Sequence, residues 1–187
     1  MMGQSGSGKS TLINLLAGLD TPTVGSITWP GIGSMSSLRP GPVGIVFQAP
    51  SLIPSLDVLE NVSLPLILMG LNHIEAGVAA AEALTRLGIV DLRTKLPEEL
   101  SGGQVQRVAI ARVLAHRPIL ILADEPTGQL DHEAAHAVID ALIDAASDTD
   151  AALLVSTHDS EVADRISSTW WMSDGRLMTE GIVRCST

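Results

Sequence analysis

Three apolar runs, residues 43–47, 119–123 and 152–156, and a weaker one at 26–29, are too short for ordinary helices and are apolar throughout rather than alternating. Continuous apolarity means that both faces of each strand are covered, which is the condition of a parallel sheet. Parallel neighbours need crossover connections, and helical patterns fill the gaps at 11–17, 75–87, 104–115, 134–146 and 160–165. In the fourth of these, Val138, Ile139 and Leu142 share one face while His136, Asp140 and Asp144 share the other. The expected class is therefore α/β, a mainly parallel sheet flanked by helices. Residues 50–118 are helix-rich between two strands and read as a helical subdomain inserted into that core. Near the end, 169–172 and 177–183 flank Ser173-Asp174-Gly175-Arg176, a hairpin signal that adds antiparallel strands at one edge.

Composition narrows the class of function. With 187 residues and 45% hydrophobic content, the chain can bury one real core and reads as a single domain over 1–187. The net charge of −10 argues against a broad basic face for nucleic acid, so no nucleic-acid partner is expected. Charged residues are 17%, below the roughly 25% usual for soluble domains, which points to apolar surface covered by a partner. The apolar stretch 64–71 is broken by Pro65 and Gly70, far short of the roughly 20 residues a membrane span needs, and no secretory leader is expected. Cys185 is alone, so no intrachain disulfide can form, which suits a reducing cytoplasm.

The chemistry is concentrated in three places. Gly3-Gln4-Ser5-Gly6-Ser7-Gly8-Lys9-Ser10-Thr11 fits G-x-x-x-x-G-K-[ST] ahead of an apolar helix. Its glycines let successive N–H groups turn inward on phosphate oxygens, Lys9 can reach the β/γ oxygens, and Ser10 can ligate Mg²⁺. Lys9 is one of two lysines in the chain, the other being Lys95. The run 119–123 ends in Asp124 and Glu125, and carboxylates at the C-terminal end of a parallel strand face the ligand crevice. Alone they read as a solvated turn; beside a phosphate loop, Asp124 reads as a Mg²⁺ ligand through water and Glu125 as acceptor of a proton from the attacking water. Third, Leu100-Ser101-Gly102-Gly103-Gln104 precedes a helix. Ser101 and Gln104 fit an ordinary capping box, but the glycine pair costs up to about 1 kcal/mol per residue in a first turn. A second anion site explains that pair better.

Taken together, these residues resemble the nucleotide-binding subunit of ABC transporters over essentially the whole chain. Residues 100–104 match the family's signature motif, Gln48 its Q-loop glutamine, Gln129-Leu130-Asp131 its D-loop and His158 its switch histidine. The runs LADEPTGQLD, SGGQVQRVAIAR and VFQAPSLIPSLDVLENVSLPL are similar to the branch that serves lipoprotein-release and macrolide-export permeases. The resemblance implies a P-loop NTPase fold that binds ATP with Mg²⁺ held by Ser10, Gln48 and Asp124, with Glu125 and His158 as catalytic residues. It implies a head-to-tail dimer with a second ATPase subunit, the same chain or a different one. Ser101, Gly102, Gly103 and Asp131 would then complete the ATP site from across the interface. It also implies an integral membrane permease as partner, and a cytoplasmic chain peripheral on the inner face of the cell membrane. Arg107 and Arg112 read as structural; His73, His116, His132 and His136 read as surface residues without metal-ligand spacing.

The sequence departs from the family pattern in front of the phosphate loop, where only Met1 and Met2 stand before Gly3. The expectation is of an N-terminally truncated chain lacking the strand that leads into the loop, the antiparallel strands before it and the adenine-stacking aromatic, with strand neighbours left unpaired. Trp29 is on the wrong side of the loop to replace that aromatic, and there is no tyrosine. Two alternatives stand beside the transport ATPase. One is a truncated, non-hydrolysing nucleotide-binding or regulatory subunit. The other is a non-transport ABC ATPase, whose coiled-coil insertion or second tandem unit is not seen.

Overall fold

The computed structural model describes residues 1–49, 51–128 and 130–184; Pro50, Gln129 and Cys185 of the sequence reading lie outside the described residues. Its central sheet is parallel, in the order β1 (Val43–Val46), β2 (Leu120–Asp124), β3 (Ala152–Ser156). Alternate residues of β2 enter two different cores. Ile121 and Ala123 join a large cluster with Val62, Leu84, Ile110 and Leu142. Leu122 joins a smaller cluster with Ile13, Ala17, Leu38 and Met172. Both faces are covered, which is why the run is apolar at every position; Ile121 and Leu122, fully buried, each contribute about 1.5–3 kcal/mol.

The small core is closed by α1 (Lys9–Leu16). The large one is closed by α2 (Val58–Leu68), α3 (His73–Arg86), α4 (Gly102–Leu114) and α5 (His132–Thr149). The chain then runs through α6 (Ser160–Asp164) into the antiparallel pair β4 (Ser168–Ser173) and β5 (Arg176–Arg184).

Three elements differ from the sequence reading. Residues 26–29 are not a strand. Trp29 makes one isolated bridge to Gly33, and its indole Nε1 donates to the Leu16 carbonyl at 2.9 Å, so the aromatic covers α1 instead of joining the sheet. Conversely, α2 forms through Pro65. A helix-interior proline costs about 3 kcal/mol, but Val58, Val62 and Leu66 bury one face, and Asp57 with Glu60 closes a capping box at its start. Finally, Met1 and Met2 are wedged between β3 and β4. The Met1 amine donates to Val155 O at 2.7 Å and Thr157 N–H to Met1 O at 3.0 Å. On the other side, Met2 N–H donates to Trp170 O and Met172 N–H to Met2 O. The expectation of unpaired neighbours thus fails at the C-terminal end of β3, where two residues do the pairing of a strand.

Candidate active site

The parallel register brings the strand ends level, with Val46 opposite Ala123 and Asp124 opposite Ser156. Open α/β sheets bind ligands beyond those carboxyl ends, and the segments leaving there carry Gln48, Glu125 and His158. The glycine loop forms the facing wall. Gly3 lies so close to β4 that a Cβ there would stand 2.3 Å from the Met172 carbonyl oxygen. Gly8, at φ 100°, is the left-handed N-cap of α1, and no side chain caps that helix. The Gly175 N–H pins the loop from behind by donating to Ser7 O at 2.9 Å. An uncapped helix start leaves its N–H donors and positive dipole end available to an anion.

Behind the loop, Lys9 is only 6% exposed. Its Nζ donates to the carbonyls of Gly3 at 2.8 Å and Gln4 at 3.1 Å and lies 3.4 Å from Glu125 Oε1. The other Glu125 oxygen is 2.9 Å from His158 Nδ1, so a cation, a carboxylate and an imidazole form one chain. Glu125 has φ 45°, a left-handed conformation costing a side-chain-bearing residue about 1–2 kcal/mol. Its N–H is held by both the carbonyl and the hydroxyl of Ser156, each at 3.1 Å. The same hydroxyl donates to the Asp124 carboxylate.

A pocket of 370 Å³ is lined by Ser5, Gly6, Gly8, Lys9, Ser10, Thr11, Gln48, Glu125 and His158, which come from the loop and from the ends of all three parallel strands. A second pocket of 530 Å³ follows the loop's other side along Gly3, Gln4, Ser5, Gly6 and Ser7, with Trp171 of β4 on its far wall. The donor set fits a phosphate chain: an uncapped helix start, a buried lysine amine, and the buried, unpartnered Ser7 hydroxyl. Ser10 and Gln48 offer neutral oxygens suited to a hard cation such as Mg²⁺. Asp124, expected beside them, does not line this pocket; its carboxylate is turned to Ser156.

Four of the expected site residues are elsewhere. Ser101 caps α4 in a closed box with Gln104, and Gly102 and Gly103 form its first turn, Gly103 facing Ala134 and Leu130. Asp131 caps α5, accepting from Ala134 N–H at 2.9 Å. None of the four lines the loop's pockets.

Sequence reasoning missed Ser156 and Gln106 among the groups that hold this site, whereas Arg112, read as structural, has that role. Ser156 fixes both acids at the end of β2. Gln106 Nε2 donates to Phe47 O at 3.5 Å and Arg112 to Ser51 O at 2.7 Å, tying the segment around Gln48 to α4. The register of strand ends could have singled out Ser156; the others are long-range contacts with no local signal. The histidine reading also needs correction. His73 is exposed, but His116 is half-buried with neither ring nitrogen partnered, and burial pushes its imidazole pKa below the ordinary value. His132 and His136 do have ligand spacing, four apart on α5, and converge with Glu161.

Residues 1–128 match the ABC transporter family. Two uncharacterised ABC transporter ATP-binding proteins from Mycobacterium tuberculosis, strains CDC 1551 and H37Rv, are each 42% identical over 95% of this chain and 75% of their own length. Among solved structures, the ATP-binding cassette MJ0796, in a dimeric post-hydrolysis state bound to ADP and Pi, superposes with TM-score 0.85 at 37% identity. That match covers 95% of this chain and 82% of that one. The cbiO1 protein of Clostridium perfringens, part of the ABC transporter complex cbiONQ, gives TM-score 0.86 at 32% identity over 97% of this chain and 75% of its own. With its P-loop cassette fold, its glycine loop and its sequence in agreement, the chain belongs to the ABC transporter family, as an ATP-binding cassette.

Proposed function

We propose that this chain binds and hydrolyses Mg-ATP as the motor subunit of an ABC transporter, working as one ATPase domain over 1–187 with a helical subdomain at about 50–118. The observation that carries the reading is the Lys9–Glu125–His158 chain at the uncapped start of α1. The loop N–H groups and Lys9 bind the phosphates, Lys9 exchanging its carbonyl partners for phosphate oxygens. Mg²⁺, when bound, neutralises phosphate charge; Ser10 and Gln48 would hold it, and Asp124 would join them through water once its carboxylate turns from Ser156. Glu125, fixed by Lys9 and the Ser156 anchor, accepts the proton of the attacking water, and His158 orients that carboxylate and contacts the terminal phosphate.

Ser101, Gly102, Gly103 and Asp131 lie outside this pocket and act on the site of a second cassette in a head-to-tail dimer. The dimeric state of MJ0796 supports that arrangement. Among the described residues no helix is long and apolar enough to cross a membrane. We infer that cargo moves through an integral membrane permease partner, with this chain peripheral on the cytoplasmic face; the membership of cbiO1 in a transporter complex supports that reading. The runs named above favour the lipoprotein-release and macrolide-export branch. The test is Glu125→Gln, which removes the base and keeps the shape. ATP hydrolysis should fall about 10²–10⁴-fold while ATP binding, measured by calorimetry, is retained. Hydrolysis that survives the change would refute Glu125 as the base.

A further inference from the structure

None of His132, His136 and Glu161 lines the nucleotide pockets, and the first two turns of α5 with the first turn of α6 bring two imidazoles and a carboxylate to one point. His132 Nε2 is 3.1 Å and His136 Nε2 is 3.6 Å from the same oxygen, Oε2 of Glu161. All three candidate ligand atoms lie within 4.8 Å of one another. The two rings lie on one face of α5 with centroids 5.3 Å apart and planes tilted by 55°, neighbours by their i, i+4 spacing. His136 Nε2 is buried and has no hydrogen-bond partner. Arg165 pairs with Asp140 farther along the same two helices.

We propose that His132, His136 and Glu161 form a binding site for a zinc-type divalent cation, independent of the ATP site. Tetrahedral zinc with ligands at about 2.0–2.1 Å sets its donors about 3.4 Å apart, and the two nitrogen–oxygen separations fall on either side of that value. Two imidazole nitrogens with one carboxylate select zinc-like ions over Mg²⁺ or Ca²⁺, which prefer all-oxygen shells. Residues 132–136 read His-Glu-Ala-Ala-His, a helical pattern that places two ligands on one face. Exposure of His132 and Glu161 leaves the fourth position to water and makes the ion exchangeable. The proposal is of binding and not of hydrolysis, since nothing at this exposed surface excludes water from the ion. A bound ion would lock the start of α5, capped by Asp131, to Glu161 of α6, three residues beyond His158.

The full chain, stripped of metal and held in excess Mg²⁺ without nucleotide, is titrated with Zn²⁺ by calorimetry and with Co²⁺ by visible absorption. One ion per chain and a tetrahedral Co²⁺ spectrum are expected. Each of His132→Ala, His136→Ala and Glu161→Gln should weaken Zn²⁺ about tenfold or more, since removal of mere outer-shell partners already costs about that much. The His132→Ala/His136→Ala double variant should abolish the spectrum, with an unchanged melting temperature in EDTA showing that it still folds. Zn²⁺ binding equal in the wild type and the double variant, or no binding by the wild type, would overturn the proposal.

Discussion

The chain has two glycine-rich helix starts, and they are finished differently. At α1, Gly8 stands at the N-cap in a left-handed conformation and no side chain reaches the first N–H groups. At α4, Ser101 and Gln104 satisfy each other's backbone in a closed capping box. The loop before α1 is tightly enclosed, with Gly3 against Met172 and Ser7 tied to Gly175, whereas a Cβ at Gly102 would meet nothing within 4 Å. A helix start left open inside a pocket is a complete anion site within one chain. A helix start that is capped, with open space beside Gly102, is the one the proposed function assigns to a second cassette.

The comparison breaks first at Lys9. Lys9→Ala removes the lysine amine that lines the loop's pocket and should weaken ATP about ten- to hundredfold, the equivalent of about 1.5–3 kcal/mol for a charged hydrogen bond. Fluorescent-nucleotide titration reads this directly. A smaller effect separates the two glycines. Gly3→Ala drives a Cβ into a backbone oxygen and should cost about 1–3 kcal/mol of stability in urea denaturation. Gly102→Ala meets open space in a helical turn and should stabilise by up to about 1 kcal/mol while reducing ATP turnover. If Gly102→Ala is both more stable and fully active, the glycine has no partner to approach.

The smallest effect lies at the far end of α4. Burial lowers the His116 pKa from the usual 6.5, so the unfolded chain takes up a proton at a higher pH than the folded one. Stability from the neutral ring is therefore full above pH 6.5 and is lost as pH falls from there toward the lowered value. Thermal melts across that window should slope less in His116→Gln, a variant that cannot titrate there.

Much of this was legible in the sequence because the signals are local. The glycine loop, the strand ending in Asp124 and Glu125, and the continuous apolar runs each declare themselves within a few residues. α2 escaped because Pro65 reads as a breaker, and only the burial of Val58, Val62 and Leu66 against the core shows why the helix continues. Residues 26–29 read as a strand because the apolar bulk of Trp29 suits a sheet as well as it suits the end of α1. Ser156, Gln106 and Arg112 act across 32, 59 and 61 residues of sequence, so their roles depend on the packed chain. The i, i+4 spacing of His132 and His136 is local and legible, but their convergence with Glu161 is not, because Glu161 lies on another helix.

In the proposed function the open helix start binds ATP within the chain and the capped one serves a neighbour. The deciding measurement is sedimentation of the Glu125→Gln chain in Mg-ATP, with and without Ser101→Arg, alongside ATP affinity at monomer concentrations. Arg at that cap should cost about 1 kcal/mol of stability, which a melt checks. The expected result is an ATP-dependent dimer that Ser101→Arg abolishes while monomer affinity for ATP is unchanged. A dimer that survives Ser101→Arg, or a folded monomer that loses ATP because of it, would contradict the assignment of α4 to the partner's site.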